Sequence, residues 1–143
     1  MELLKIATKI FLKCPNLRRS DLRFEPVLFG LSQLLPAYSN DFDIEGFANR
    51  LSISGFSRHV ESWISSNNKS IPLSTNQVVD LIGADKIFAF AKQLNITPEL
   101  ATEALSIMIP QLISQQSEDG VLFTRPINKN PFLKFIERRM GAA

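Results

Sequence analysis

The residue groupings that could do chemistry are few: a lone imidazole, a lone thiol, an acidic turn, and two consecutive helices at DNA-reading spacing. His59 is the only histidine and Cys14 the only cysteine. Glu61 stands two residues from His59 and therefore on another face of a helix, and no G-x-S-x-G elbow surrounds a serine, so a His-based triad lacks its parts. One Cys and one His cannot supply four zinc ligands. A single thiol makes no internal disulfide, which fits a reducing compartment. Neither G-x-x-x-x-G-K-[ST] nor G-x-G-x-x-G occurs, so no glycine loop cradles a phosphate. Asp41-Phe42-Asp43-Ile44-Glu45-Gly46 imitates the opening of a calcium loop, but Ser52 stands where position 12 needs a bidentate Glu. The stretch reads as a helix-capping acidic turn. The expectation is no metal, no cofactor and no catalysis; the one enzymatic option left is a carboxylate such as Glu61 or Glu103 in a cleft.

The helix pair at residues 86–94 and from 98 onward, joined by Asn95-Ile96-Thr97, has the spacing of a helix-turn-helix. A recognition helix needs Arg, Lys, Asn or Gln along its front. Here the front carries Glu99, Leu100, Thr102 and Glu103, and no basic residue falls between Asn95 and Gln116. Carboxylates repel phosphate, so this is a degenerate reader at best.

Charge is distributed unevenly. The chain of 143 residues has a formal charge of +2, but residues 1–23 hold six basic and two acidic groups (net +4), residues 24–120 five and eleven (net −6), and residues 121–143 five and one (net +4). Either the basic ends fold back on the acidic body or they meet an acidic partner, phosphate or membrane surface. Nucleic acid bound through these ends would be held without base readout and with strong salt dependence. The longest apolar runs, such as Ile107-Met108-Ile109, fall far short of the roughly 20 residues a membrane span requires. Lys5, Lys9 and Lys13 interrupt the stretch where a secretory signal keeps its apolar region, so the expected location is cytoplasmic.

The elements that must position these residues read as helices. No long alternating run rich in Val, Ile, Thr and Tyr appears, and no hairpin turn of the Asn-Gly or Asp-Gly kind is expected. The fold class is all-α, a compact multihelical single domain around a buried central helix, and a chain of this length can bury roughly two thirds of its surface. Residues 2–13 place Leu3, Ile6, Ala7 and Ile10 on one side and the three lysines on another, and Cys14-Pro15-Asn16 ends that helix. A second helix runs from about residue 21 or 23 to Leu35 with Pro26 in its first turn. Asp43 caps a short helix to about Leu51, and Ser54-Gly55 breaks the chain before another to Ile64. Ser74 and Gln77 form an S-x-x-Q capping box, and Gly83 ends the helix it opens. Asp85 is the expected cap of the next, which closes on Asn95. Thr97 caps the longest helix, with Pro98 at its first position.

From Leu100 to Ile113 the apolar residues cover most of the circumference, so this helix is central. Pro110 inside it removes a hydrogen bond to the Ser106 carbonyl and predicts a kink or break. After Gly120 the chain reads as loop until Asn130-Pro131, which starts a last short helix.

Gly55-Phe56 through Trp63-Ile64, Ile71-Pro72-Leu73-Ser74, Leu81-Ile82-Gly83, Leu94-Asn95-Ile96-Thr97-Pro98, Ala104-Leu105, Ile109-Pro110 and Asp119-Gly120 together resemble the YidB-like family of small bacterial helical proteins. The order and spacing match over roughly residues 24–122. The resemblance implies a compact multihelical fold around a buried central helix and brings no catalytic residue or cofactor with it. Two departures stand out: residues 43–54 form a better helix than the glycine-rich stretch of many members, and Asn95 replaces a usual glycine.

The resulting division is an N-terminal amphipathic basic helix and connector (1–23), a YidB-like helical body (24–122) and a basic C-terminal segment with a short helix (123–143). The expected role is non-enzymatic binding of a protein partner or self-association into a homo-oligomer, with nucleic acid as the less favoured alternative. The expected contacts are Leu3, Lys5, Lys9, Ile10 and Phe11 at one end and Phe132, Phe135, Arg138 and Arg139 at the other. On this reading, deletion of residues 1–20 leaves a folded monomer that has lost its partner.

Overall fold

The computed structural model describes residues 2–17, 21–38, 40–65, 70–118 and 120–124. Among them the helices are α1 (Glu2–Leu12), α2 (Phe24–Leu34), α3 (Ile44–Leu51), α4 (Ser57–Ile64), α5 (Thr75–Ile82), α6 (Ala84–Leu94) and α7 (Pro98–Gln115). The protein is all-α, and its centre is the helix whose composition demands it. Ala101, Ala104, Leu105, Met108, Ile109, Leu112 and Ile113 of α7 are all buried, because α1, α4, α5 and α6 each pack on it. Outside them, α2 packs on α1 and α6. Gly30 sits where a Cβ would come within 2.8 Å of the Phe90 ring, so the smallest side chain is what lets α2 approach α6 that closely.

Local chemistry sets most boundaries as expected. The Ser74 hydroxyl accepts from Gln77 N–H at 3.1 Å and the Gln77 amide oxygen accepts from Ser74 N–H at 2.9 Å, the reciprocal box. Thr97 Oγ1 accepts from Leu100 N–H at 3.1 Å, and Asn95 takes the left-handed conformation at φ 58°. Asp43 Oδ1 accepts from Gly46 N–H at 3.0 Å and starts α3. Between α3 and α4 a wide π-type turn, Ser52–Phe56, carries Gly55 at φ 98°.

Some expectations are corrected. Asp85 does not cap α6: Gly83, at φ 106°, serves as both the end of α5 and the start of α6, and Asp85 lies in the first turn, where a carboxylate still suits the helix dipole. Pro110 does not break α7, which runs on to Gln115. One lost hydrogen bond and the ring clash cost roughly 3 kcal/mol, while Met108, Ile109, Leu112 and Ile113 around it are each buried, at about 1.5–3 kcal/mol apiece. Two small antiparallel hairpins also form. β1 (Ala37–Tyr38) pairs with β2 (Asp41–Phe42), and β3 (Ser117–Glu118) with β4 (Val121–Leu122), the latter in place of the expected loop. Two-residue strands are too short to show alternation, but the expectation of no Asp-Gly hairpin turn is wrong: Asp119-Gly120 joins the second pair, with Gly120 at φ 77°. The short helix expected after Asn130 lies outside the described residues.

The largest correction concerns the N-terminal helix. Leu3 is 1% exposed, Ile10 7% and Phe11 0%, and Phe11 meets Phe90 edge to face with ring centroids 5.6 Å apart. The apolar face of α1 is core. It is also clamped at its start: Leu3 and Leu4 N–H donate to the two carboxylate oxygens of Asp41 at 2.9 and 3.0 Å. Asp41 therefore does for α1 what an N-cap does, from another part of the chain, satisfying orphan donors with a charge the helix dipole favours. Asp41→Ala removes that acceptor and strands the donors. A loss of about 2 kcal/mol is expected, read as a fall in the urea midpoint without a change of slope; a midpoint equal to wild type would show that water replaces the carboxylate at no cost.

Candidate functional site

The expected contact residues of α1 do not share one exposed surface. Leu3 and Phe11 are sealed in the core and Ile10 is buried apart from the edge it gives to a groove. Lys5 and Lys9 are exposed on the outer face of α1, and Lys13 continues their line one turn on. Phe132, Phe135, Arg138 and Arg139 lie outside the described residues. The surface that remains is a lysine stripe spaced by four on a helix that cannot roll, because its opposite face is packed and its first turn is clamped.

That stripe borders a groove. Ile6, Lys9, Ile10 and Lys13 of the α1 side and Gln111, Gln115 and Gln116 of the α7 side enclose about 590 Å³. Gln111 and Gln115 are exposed, whereas Gln116 is 2% exposed. Gln116 ties the chain beyond it: its Nε2 donates to the Phe123 carbonyl at 3.2 Å, and Phe123 N–H donates to the Gln116 carbonyl at 2.7 Å. The floor is thus fixed and the walls are cationic and amide-bearing. Lys9 and Lys13 suit carboxylates or other anions on a partner, with Ile6 and Ile10 giving the groove an apolar strip beneath them.

The candidates for chemistry are held apart or occupied. Cys14 is 2% exposed; its Sγ lies 3.5 Å from the Ile10 carbonyl and 3.6 Å from that of Ala104. Burial pushes its thiol up to about 11, the opposite of what a nucleophile needs. His59 is half-buried, edge to face with Phe56 and Trp63 at centroid distances of 5.3 and 6.1 Å, and its Nδ1 has no hydrogen-bond partner. Beside it, Trp63 Nε1 donates to the Ile71 carbonyl at 2.8 Å, and Ile71 N–H donates to Ser62 Oγ at 3.0 Å. That pair fastens the chain before α5 onto α4.

The carboxylates are equally engaged. Glu103 Oε2 accepts from Asn16 Nδ2 at 2.6 Å and borders a groove of about 320 Å³ with Glu99, Thr102, Ile87, Val79 and Asn76; Glu61 is not among its lining residues. Asp41 and Asp43, the supposed calcium positions, serve as caps for α1 and α3. Among the described residues no group of three His, Cys, Asp or Glu is placed to hold a metal ion. In the helix pair α6–α7, the second helix is the core itself, with Ala101 and Thr102 buried in its first turns.

Residues 41–125, more than half of the chain, match the family described as "YidB-like protein". The chain belongs to the YidB-like family. No curated protein and no solved structure matches it. The family's stretch starts at Asp41, the residue that clamps α1. The helices ahead of it, α1 and α2, contribute Leu4, Ala7, Phe11, Val27 and Leu31 to the same core as α7. Sequence reasoning missed Asp41 as a clamp and left Lys13, Gln111 and Gln115 off the contact set. Nothing local marks Asp41 as a clamp, because the α1 donors it accepts from lie 37 and 38 residues away.

The buried thiol yields a pH prediction. The folded value lies above the ordinary one of 9.0, so the folded state holds this proton more tightly than the unfolded state. The corresponding stability is fully present below pH 9 and is lost as pH rises through about 11, on the order of 2–3 kcal/mol. The stability of wild type relative to Cys14→Ala, measured by urea denaturation, should shrink across that window; a difference flat from pH 8 to 11 would contradict it.

Proposed function

We propose that the protein is a non-enzymatic, cytoplasmic interaction module that binds an acidic protein surface through the lysine stripe of α1. The observation that carries this reading is the display of Lys5 and Lys9 on the exposed face of α1, with Lys13 exposed just past its end, while the other face of the helix is core. A held helix presents its charges without the entropy loss of ordering a free segment, so more of each contact survives as affinity. No ion pair to a carboxylate is present for these lysines among the described residues, and the neighbouring Gln111 and Gln115 supply amide donors and acceptors along the groove.

A second copy of this chain is one partner of the right chemistry, since residues 24–120 carry net −6. No helix among the described residues is long and apolar enough to cross a membrane. Charge pairs at the edge of an interface act mainly on encounter rate and salt sensitivity, so the association should weaken as salt is raised.

The burial of Leu3, Ile10 and Phe11 decides which variant is informative. Deleting residues 1–20 removes core and unfolds the chain, so a loss of binding in that deletion says nothing about the stripe. The triple replacement Lys5→Gln, Lys9→Gln, Lys13→Gln keeps helix propensity and removes three charges. The variant should keep the wild-type helical circular dichroism and urea midpoint. In sedimentation velocity and in capture from native extract at low salt, its self-association or partner recovery should fall tenfold or more. Undiminished association would refute the reading, and retention of a DNA duplex at low salt by wild type, lost in the variant with no protein partner recovered, would replace it with the nucleic-acid alternative.

A further inference from the structure

The edge that α1 and α7 share carries opposite charges at its two ends. The helices run antiparallel: Cys14 Sγ lies 3.6 Å from the Ala104 carbonyl and Asn16 Nδ2 donates to Glu103 Oε2 at 2.6 Å, whereas Ile6 and Ile10 share a groove with Gln111 and Gln115. One end of the edge therefore shows Glu99 and Glu103, and the other Lys5 and Lys9. Glu103 is half-buried and the other three are exposed, and among the described residues none of the four is in an ion pair. Each couple is spaced by four residues, so both present two charges about 6 Å apart along a helix. Between the ends lie Ser106, Ile107 and Pro110, all half-buried, and a Ser106 carbonyl to which Pro110 has no N–H to donate.

We propose that this edge binds the same edge of a second copy of the chain, related by a twofold axis that crosses the groove between α1 and α7 beside Ile107. The proposal rests on the lysine reading above and names the acidic partner surface as α7 itself. A twofold axis perpendicular to the helices reverses both of them in the second copy, so its α1 runs parallel to the α7 of the first. Glu99 then faces Lys5 of the second copy and Glu103 faces Lys9, with the same two pairs repeated on the other side of the axis. The match follows from equal spacing and antiparallel order: parallel helices would put both couples at one end, and the axis would carry them apart. The same register brings Lys13 of the second copy to the level of the Ser106 carbonyl, an acceptor for its ammonium. Ile107 and Pro110 lie at the centre and the charges at the rim, the usual anatomy of such a contact. Asp41 and Asp43 fit the lysines less well, since both carboxylates already serve as helix caps.

The test exchanges the signs in the full chain. One variant carries Lys5→Glu and Lys9→Glu, the other Glu99→Lys and Glu103→Lys, each first shown to keep the wild-type circular dichroism. In sedimentation equilibrium at low salt, wild type should form dimers, and each variant alone should dimerise at least about tenfold more weakly, because like charges now face each other. An equimolar mixture should recover dimers to within about threefold of wild type, since every pair is restored with its signs reversed. Should loss of the Asn16 contact disturb the fold, Lys5→Glu and Glu99→Lys alone repeat the exchange at exposed positions. A wild type that stays monomeric, a Glu99→Lys, Glu103→Lys variant that dimerises like wild type, or a mixture no better than its components would overturn the proposal. If dimers survive in that variant but are lost when the lysines are replaced, the lysine reading stands and its partner surface lies elsewhere. The lysine reading itself fails separately, when replacing the lysines weakens the binding of no partner.

Discussion

A helix that is apolar around its circumference must be covered on every side, and α7 sets that requirement for the whole chain. Four helices do the covering, and each is amphipathic because each has one face to give. Once α1 is recruited for this purpose, its leucines, isoleucines and phenylalanine are committed to the interior. Its exposed residues are Glu2, Lys5 and Lys9, with Ile6 and Leu12 half-buried beside them. The basic exterior and the apolar interior of α1 are therefore two results of one packing demand.

The same demand explains why the family's stretch does not stand alone as a core. Residues 41–125 contain α7 and three of its neighbours but not α1. Asp41 joins the two parts by placing both carboxylate oxygens on the first free N–H groups of α1. A hydrogen bond from a helix N-terminus to a carboxylate fixes both the axial position and the direction of the helix, which apolar packing alone leaves looser. The N-terminal segment is thus structural rather than an appendage to the body. Leu3, Leu4, Ala7 and Phe11 of α1 lie in the same core cluster as α7.

Local features were legible in the sequence because their causes are local. The capping box at Ser74 and Gln77, the Thr97-Pro98 start, the Asp43 cap and the left-handed Asn95 each depend on residues within a few positions. The centrality of α7 was legible too, since apolar residues on all faces admit one environment. The fate of α1 was not, because amphipathic spacing says that a face is apolar without saying whether a core or a partner covers it. Asp41 was hidden for a related reason: its carboxylate sits in a pattern of alternating acids that resembles a metal loop, and its true partners are distant in sequence. At Asp85 a local rule met tertiary context and yielded to a glycine able to take φ 106°, and at Pro110 the kink or break that the local rule allows is not a break. The lysine stripe was visible in spacing, but its independence from the apolar residues beneath it became clear only with their burial.

Native-state hydrogen exchange on the full chain measures the central proposition that α1 and α7 form one cooperative unit. The account predicts that amides in the interior of α1, such as Ala7 and Phe11, exchange only through the same global unfolding that exposes Leu105 and Met108, with equal opening free energies and equal sensitivity to denaturant. Opening of α1 at a free energy several kcal/mol below that of α7, insensitive to denaturant, would mean that the N-terminal helix is a detachable arm and would contradict the account.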